Sequence, residues 1–122
     1  MIKRISKNEK RIDRKSRSRE KLRGTHEKPR LVVFKSLKNV YVQLIDDEKQ
    51  STILSMSTLN NEDFAGLKSR KNKKAMQKIG EMTAQKSIES GIKKIVFDRN
   101  GYKYHGNIKL FADTLRSKGL IF

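Results

Sequence analysis

The chain of 122 residues contains no cysteine, no tryptophan and a single proline. The lack of cysteine excludes disulfide bonds, thiolate nucleophiles and cysteine-ligated zinc sites, and it fits a reducing cytoplasm. No apolar run approaches the ~18 residues of a membrane-spanning helix. The first residues, MIKRISKNEK, are basic but lack the apolar stretch of a secretory signal. We therefore expect a cytoplasmic protein of one domain.

Acidic residues are also scarce. The chain has 13 Asp and Glu against 30 Lys and Arg, a formal net charge of +17, with a pI near 10.3. Charge of this size repels itself in a compact monomer and attracts polyanions, so RNA, DNA and anionic membranes are the candidate partners. Residues 1–30 hold 13 Lys and Arg and 4 Asp and Glu, a net of +9, whereas residues 31–122 hold 17 and 9, a net of +8. The charge is therefore concentrated in an N-terminal arm.

The arm, residues 1–29, has apolar residues too sparse to form a helix face that packs on a core. We expect it to be disordered when free and ordered on a polyanion, with residues 30–122 as a single globular domain. Its cations recur every two or three residues, at Lys10, Arg11, Arg14, Arg17, Arg19, Lys21 and Arg23. Such spacing can follow phosphates, which repeat every ~3.4 Å along one duplex strand. The alternative is a solvated tail that only raises solubility.

From residue 30 onward, apolar and β-branched runs alternate with turn residues and then with helical spacing. These patterns predict strands at 30–36, 40–46 and 51–58, a helix at 75–90, a strand at 93–98 and a helix at 107–118. Within the strand at 93–98, Ile95, Val96 and Phe97 form a continuous apolar run, which is typical of a strand covered on both faces. The order β-β-β-α-β-α predicts an α/β (α+β) fold. Its mixed sheet has three antiparallel strands plus one strand reached by a helical crossover.

No catalytic constellation is evident. The element order is compatible with ribonuclease H-like nucleases, whose two-metal catalysis needs acidic residues on adjacent strand ends. Strand 30–36 has no carboxylate, Asp46 and Asp47 fall in a turn, and Asp98 is expected to bond the backbone of the next loop. His26 and His105 lie far apart, and no common nucleophile, phosphate-loop or zinc motif occurs. We therefore predict a protein that is not an enzyme and uses no metal or cofactor.

The loop DRNGYKYHGN, residues 98–107, concentrates aromatic and basic side chains. Its glycines, Gly101 and Gly106, allow a close approach of the backbone to a partner. The rings of Tyr102, Tyr104 and His105 offer stacking faces and hydrogen-bond donors for RNA, and Arg99 and Lys103 add charge. The alternative is that one tyrosine packs into the core. A further basic cluster, Lys68, Arg70, Lys71, Lys73 and Lys74, precedes the helix at 75–90 and either meets an external anion or is solvated.

Three stretches carry a family resemblance: RLVVFKSLKNVYVQLIDD, STLN and GIKKIVFDRNGYKYHGNIKLFADTLRSKGLIF. They resemble the bacterial ribosomal protein family that binds 5S ribosomal RNA, protein eighteen of the large subunit. The combination of FDR-x-G-Y-x-Y-H-G with ADxxRxxGLxF is specific. The resemblance implies a structural role in the central protuberance, with 5S rRNA, 23S-type rRNA and neighbouring ribosomal proteins as partners and no membrane or small-molecule substrate.

The resemblance also implies RNA contacts from the arm, from the first two strands with their turn, and from the loop after the fourth strand. These fall on Arg11, Arg14, Arg17, Arg19, Arg23, Lys28, Arg30, Lys35, Ser36, Lys38, Asn39, Tyr41, Gln43, Arg99, Tyr102, Tyr104, His105 and Gly106. Asn100 stands where a second glycine is usual, but asparagine tolerates left-handed backbone. Asn107 replaces a frequent arginine and Asn39 a frequent histidine.

Two other functions remain as alternatives. A general nucleic-acid or nucleoid-binding protein would use the same charge, but it needs no aromatic loop and should not discriminate between RNA folds. A membrane-surface protein would need an apolar helix face beside its basic residues, which the arm lacks.

Overall fold

The computed structural model describes residues 7–19, 22–59, 64 and 72–122, and for residues 16–19 it describes the backbone helix alone. Its elements in chain order are α1 (Lys7–Arg19), β1 (Arg30–Lys35), β2 (Val40–Asp46), β3 (Ser51–Ser57), α2 (Lys73–Glu89), β4 (Val96–Asp98) and α3 (Gly106–Ser117). The predicted α+β fold with a mixed sheet is confirmed. Within these ranges, no helix has the length and hydropathy needed to cross a membrane.

The described strands form a four-stranded sheet in the order β3-β2-β1-β4. Short turns make β1, β2 and β3 an antiparallel meander, and α2 carries the chain across to β4, which pairs in parallel with β1. Alternation along each strand separates the two faces of the sheet. Leu31 and Val33 lie opposite Leu44 and Val42 on the buried face.

Helices α2 and α3 cover this buried face. Met76 and Ile79 of α2 and Phe111 and Leu115 of α3 have no exposed surface and belong to the same apolar cluster as the strand residues. Burying each such side chain contributes roughly 1.5–3 kcal/mol. Phe64 is buried in the same cluster. We refer to the sheet with α2 and α3 as the body.

The fourth strand differs from its prediction as a strand covered on both faces. Within the described residues, β4 is short, lies at the edge of the sheet, and leaves Val96 and Phe97 half-buried. Its apolar run reflects packing on the core cluster, to which Ile95 belongs, together with contact with the C-terminus. The Ile121 carbonyl accepts the Ile95 N–H at 3.1 Å, and the Phe97 ring stacks on Phe122 at 5.4 Å between centroids.

Candidate nucleic-acid interface

Helix α1 lies directly against the loop that follows β4, residues 99–105. Gly101 in this loop has a φ of +78°, and a Cβ added there would overlap the carbonyl oxygen of Arg11 and lie 3.0 Å from the Lys15 backbone nitrogen. The predicted close approach at Gly101 therefore exists, but in this structure it is made to the protein's own helix. Asn100 next to it has the expected left-handed backbone, with a φ of 55°.

Two arginine side chains add to this contact. The Arg11 guanidinium donates to the Asn100 carbonyl at 2.9 Å, and Arg14 Nε donates to the Gly101 carbonyl at 2.7 Å. These contacts dock α1 on the body without the apolar helix face that the arm was expected to lack. Helix α1 docks instead through backbone contact and charged hydrogen bonds.

Tyr102 ties the same loop to the end of β1. Its hydroxyl accepts the Lys35 N–H at 3.0 Å and donates to the Lys35 carbonyl at 3.2 Å. The Arg11 guanidinium lies 4.9 Å and the Lys35 ammonium 5.1 Å from the ring centroid, and cations near a ring face are attracted to it. Tyr102 is half-buried against the core cluster, as the alternative interpretation of one loop tyrosine expects.

Beneath the loop, Arg30 forms an internal ion-pair network and is only 5% exposed. Its guanidinium bonds Asp47 at 3.0 Å and Asp98 at 2.8 Å. The other Asp98 oxygen accepts the Asn100 N–H at 2.8 Å, which confirms the predicted backbone bond of Asp98. The hydrogen bond to Asp47, together with that to Asp98, raises the pKa of Arg30 despite its burial. The structure thus gives Arg30 an internal role, fixing where the loop begins.

Helix α1, the end of β1, the loop and the first turn of α3 enclose an open cleft of about 930 Å³. We call it the basic cleft. Its lining residues are Lys7, Asn8, Lys10, Arg11, Arg14, Phe34, Lys35, Tyr102, Lys103, His105 and Ile108. Among these described residues none is acidic, so the cleft is strongly electropositive. His105 is the N-cap of α3 and makes no side-chain capping bond, so the positive end of the helix dipole also faces outward here.

The cleft brings together part of the predicted RNA-binding set. Its members Lys10, Arg11, Arg14, Lys35, Tyr102 and His105 come from three separate stretches of sequence. Elsewhere, Arg23 and Lys28 are exposed in the segment before β1, Lys38 is exposed in the hairpin turn, and Gln43 is exposed on the open sheet face. Arg99 is half-buried, whereas Gly106 is exposed at the start of α3. Lys21 and the side chains of Arg17 and Arg19 lie outside the described residues.

Several predicted residues have internal partners in the structure. Asn39 is buried, and its side-chain oxygen accepts from the Thr58 hydroxyl at 3.0 Å. The Ser36 hydroxyl accepts the Asn39 N–H at 3.0 Å within the hairpin turn. Tyr41 is half-buried beside Phe34. Tyr104 is 39% exposed, and its hydroxyl accepts from Arg116 at 3.2 Å.

Sequence reasoning missed Phe34, Lys7, Asn8 and Ile108 as cleft residues. Phe34 could have been found from strand alternation, because it lies on the opposite face from Leu31 and Val33 and is 41% exposed. Of the second basic cluster, Lys73 and Lys74 are exposed at the start of α2, and the other three members lie outside the described residues. Within the ranges that the structure covers, no group of three or more His, Asp or Glu side chains is placed to bind a metal ion.

Comparisons with known proteins agree with a ribosomal role. The family model for ribosomal L18 of archaea, bacteria, mitochondria and chloroplasts matches residues 5–122. A large ribosomal subunit protein uL18 from Finegoldia magna is 50% identical over the full length of both chains. Proteins of the same name are 48% identical in Caldicellulosiruptor saccharolyticus, over all of this chain and 98% of the relative, and 49% identical in Thermotoga neapolitana over both full lengths. The chain therefore belongs to the ribosomal L18 family and is a structural protein of the large ribosomal subunit, not an enzyme.

Proposed function

We propose that the protein binds 5S ribosomal RNA and helps to attach it to the 23S-type rRNA in the central protuberance, beside neighbouring ribosomal proteins. The observation that carries this proposal is the basic cleft. It places cations from α1, β1 and the loop around one concave site that contains no acidic side chain among its described lining residues. Such a site suits a folded polyanion with a defined shape.

In this proposal two parts of the chain contact the RNA from two sides: the arm, residues 1–29, and the globular domain, residues 30–122. The arm supplies charge along the phosphate backbone, from Lys10 to Arg23. The loop and the hairpin supply shape and stacking through Tyr104, His105, Lys38 and the open sheet face. Because α1 is docked on the loop, both parts meet the RNA in a fixed relative position, which lowers the ordering cost of binding.

The test is a competition experiment. Labelled 5S rRNA is titrated with the protein at about 0.2 M salt, where non-specific contacts fade, in the presence of excess transfer RNA. We expect the 5S rRNA to remain bound. Displacement by transfer RNA would contradict the proposal and favour a general nucleic-acid-binding protein.

A matched pair of variants locates the interface. The first carries Lys7→Ala, Lys10→Ala and Lys103→Ala, all in the cleft. The second carries Lys49→Ala, Lys86→Ala and Lys93→Ala, which are exposed outside it, so both lose the same charge. For the cleft variant, the slope of log affinity against log salt should fall by about two to three, since each phosphate contact contributes roughly 0.7–0.9. Equal changes in both variants would show that net charge, not the cleft, determines binding.

A further inference from the structure

The floor of the basic cleft is aromatic and apolar, although its rim is charged. Phe34, Tyr102 and Ile108 line it together with the lysine and arginine side chains. Phe34 is 41% exposed, although Tyr41 lies beside it with 6.1 Å between ring centroids and the Arg11 guanidinium lies 6.0 Å from its ring centroid. A single exposed phenylalanine is ordinary on a protein surface. Its position inside a ring of cations is the unusual feature.

The floor is also fixed in place. Tyr102 is bonded through its hydroxyl to both backbone groups of Lys35, the residue after Phe34. These two bonds tie the loop to the end of β1, so the aromatic floor and the charged loop keep one geometry. Preorganised groups of this kind lose little freedom when a ligand binds.

Three exposed lysines contribute to the charge of the cleft, together with Arg11, Arg14 and Lys35. Lys7, Lys10 and Lys103 are exposed, and they approach the cleft from α1 on one side and from the loop on the other. An ammonium group suits a phosphate oxygen without demanding a fixed geometry. The cleft therefore combines an aromatic floor for a flat apolar group with a mouth for an anion.

A duplex backbone would use the lysines but not the floor, because paired bases face inward and their faces are already stacked. An unpaired nucleotide presents both an exposed base face and a phosphate. The volume of about 930 Å³ also lies within the ~300–1,000 Å³ typical of small-ligand sites. Building on the proposed function, we propose that the basic cleft takes one unpaired nucleotide of the bound RNA, with its base on Phe34 and its phosphates at Lys7, Lys10 and Lys103.

The test compares Phe34→Ala with Phe34→Tyr, which keeps the ring, and with Ile121→Ala, which removes a 58% exposed side chain near the C-terminus, outside the cleft and the hairpin. Each protein is titrated against a 5S rRNA transcript and against transfer RNA, and its thermal unfolding confirms that it is folded. Base accessibility in the 5S rRNA complex is mapped with dimethyl sulfate, and backbone protection with hydroxyl radicals.

We expect Phe34→Ala to bind 5S rRNA about tenfold more weakly, within the range for loss of one base–aromatic stack. At least one unpaired base that the wild-type protein protects should become reactive, while the backbone protection remains. Phe34→Tyr and Ile121→Ala should bind as the wild type does. Unchanged affinity and unchanged base protection in Phe34→Ala would overturn the inference, as would a protected segment that is wholly duplex.

The same titrations separate this inference from the proposed function. If the wild type prefers 5S rRNA and Phe34→Ala binds it with the same affinity, the proposed nucleotide site is wrong but the proposed function is supported. If the wild type binds both RNAs equally, the proposed function is wrong and the nucleotide site falls with it.

Discussion

In the body, α2 and α3 bury aliphatic and aromatic side chains against the sheet, whereas α1 meets the loop through backbone atoms, two arginines and one glycine. The first kind of packing is roughly proportional to apolar area and tolerates salt. The second depends on charged hydrogen bonds and on the close approach at Gly101, so it is sensitive to single substitutions. The comparison teaches that the body supplies stability, while the α1–loop contact supplies the geometry of the cleft.

The two regions are joined at Arg30. This buried residue connects the start of β1 to Asp98, the last residue of β4, from which the loop departs. It also bonds Asp47, whose carboxylate accepts the Gly24 N–H at 2.7 Å in the segment that leads in from the arm. One ion-pair network therefore sets both the loop and the entry of the arm relative to the sheet.

The largest effect is expected from Phe111→Ala in the body. Phe111 has no exposed surface and packs among the residues of the core cluster. The substitution should lower the free energy of unfolding by about 3–5 kcal/mol, measured by urea unfolding followed by circular dichroism. Phe34→Ala, at a partly exposed position, should lower the free energy of unfolding by less than half as much. Equal losses would show that the two sheet faces contribute alike.

Asp98→Ala tests the connection between the regions. It leaves the buried Arg30 with Asp47 alone and removes the acceptor of the Asn100 N–H, so we expect a loss of about 3 kcal/mol in unfolding free energy. In a double-mutant cycle with Arg30→Met, the combined loss should be smaller than the sum of the single losses. Strictly additive losses would contradict an interaction between the two residues.

The pH dependence of the Arg30 contribution follows from its raised pKa. A group whose pKa is raised by folding stabilises the protein fully at pH values below its ordinary pKa. This contribution is lost only as the pH rises through the raised pKa. The stability difference between the wild type and Arg30→Met should therefore stay constant between about pH 6 and pH 9, because arginine titrates far above that range. A stability difference that decreases between pH 6 and pH 9 would contradict a charged pair at Arg30.

Gly101→Ala should separate α1 from the loop without unfolding the body. The added methyl group overlaps Arg11, and the left-handed backbone adds strain of about 1–2 kcal/mol. Amide hydrogen exchange should then accelerate across α1 and remain slow in α2 and α3. Gly106→Ala is the matched control, since its φ is +58° but no atom lies within 4 Å of the new Cβ. Faster exchange of α1 in both variants would mean that backbone strain, not the overlap with Arg11, undocks the helix.

The smallest effect is expected from two hydroxyl deletions in the loop. Tyr102→Phe removes the bonds to both backbone groups of Lys35 and should lower the free energy of unfolding by about 1 kcal/mol. Tyr104→Phe removes an exposed bond to Arg116 and should change it by less than about 0.5 kcal/mol. Urea unfolding distinguishes the two. A larger loss at Tyr104 would show that the loop is anchored through α3 instead of β1.

Much of the body could be predicted from the sequence, because its patterns are local. The alternation in β1 and β2 and the spacing of Met76, Ile79, Phe111 and Leu115 each report which side of an element is buried. The edge position of β4 could not be predicted. Its apolar run looks the same whether both faces of the strand are covered or the strand lies at the sheet edge beside Phe122 and Ile121.

The sequence by itself determined the α+β fold, the basic character and the family, since composition, periodicity and motif spacing carry that information without three-dimensional contacts. Only the tertiary structure decided which cations share a site. Lys10, Lys35 and Lys103 are far apart in the chain, and their meeting depends on the parallel pairing of β1 with β4 and on the docking of α1 at Gly101. It also decided that Arg30, which resembles the other cations in sequence, is buried between two carboxylates. Such long-range pairings follow from how the packed elements fit together, and no local pattern records them.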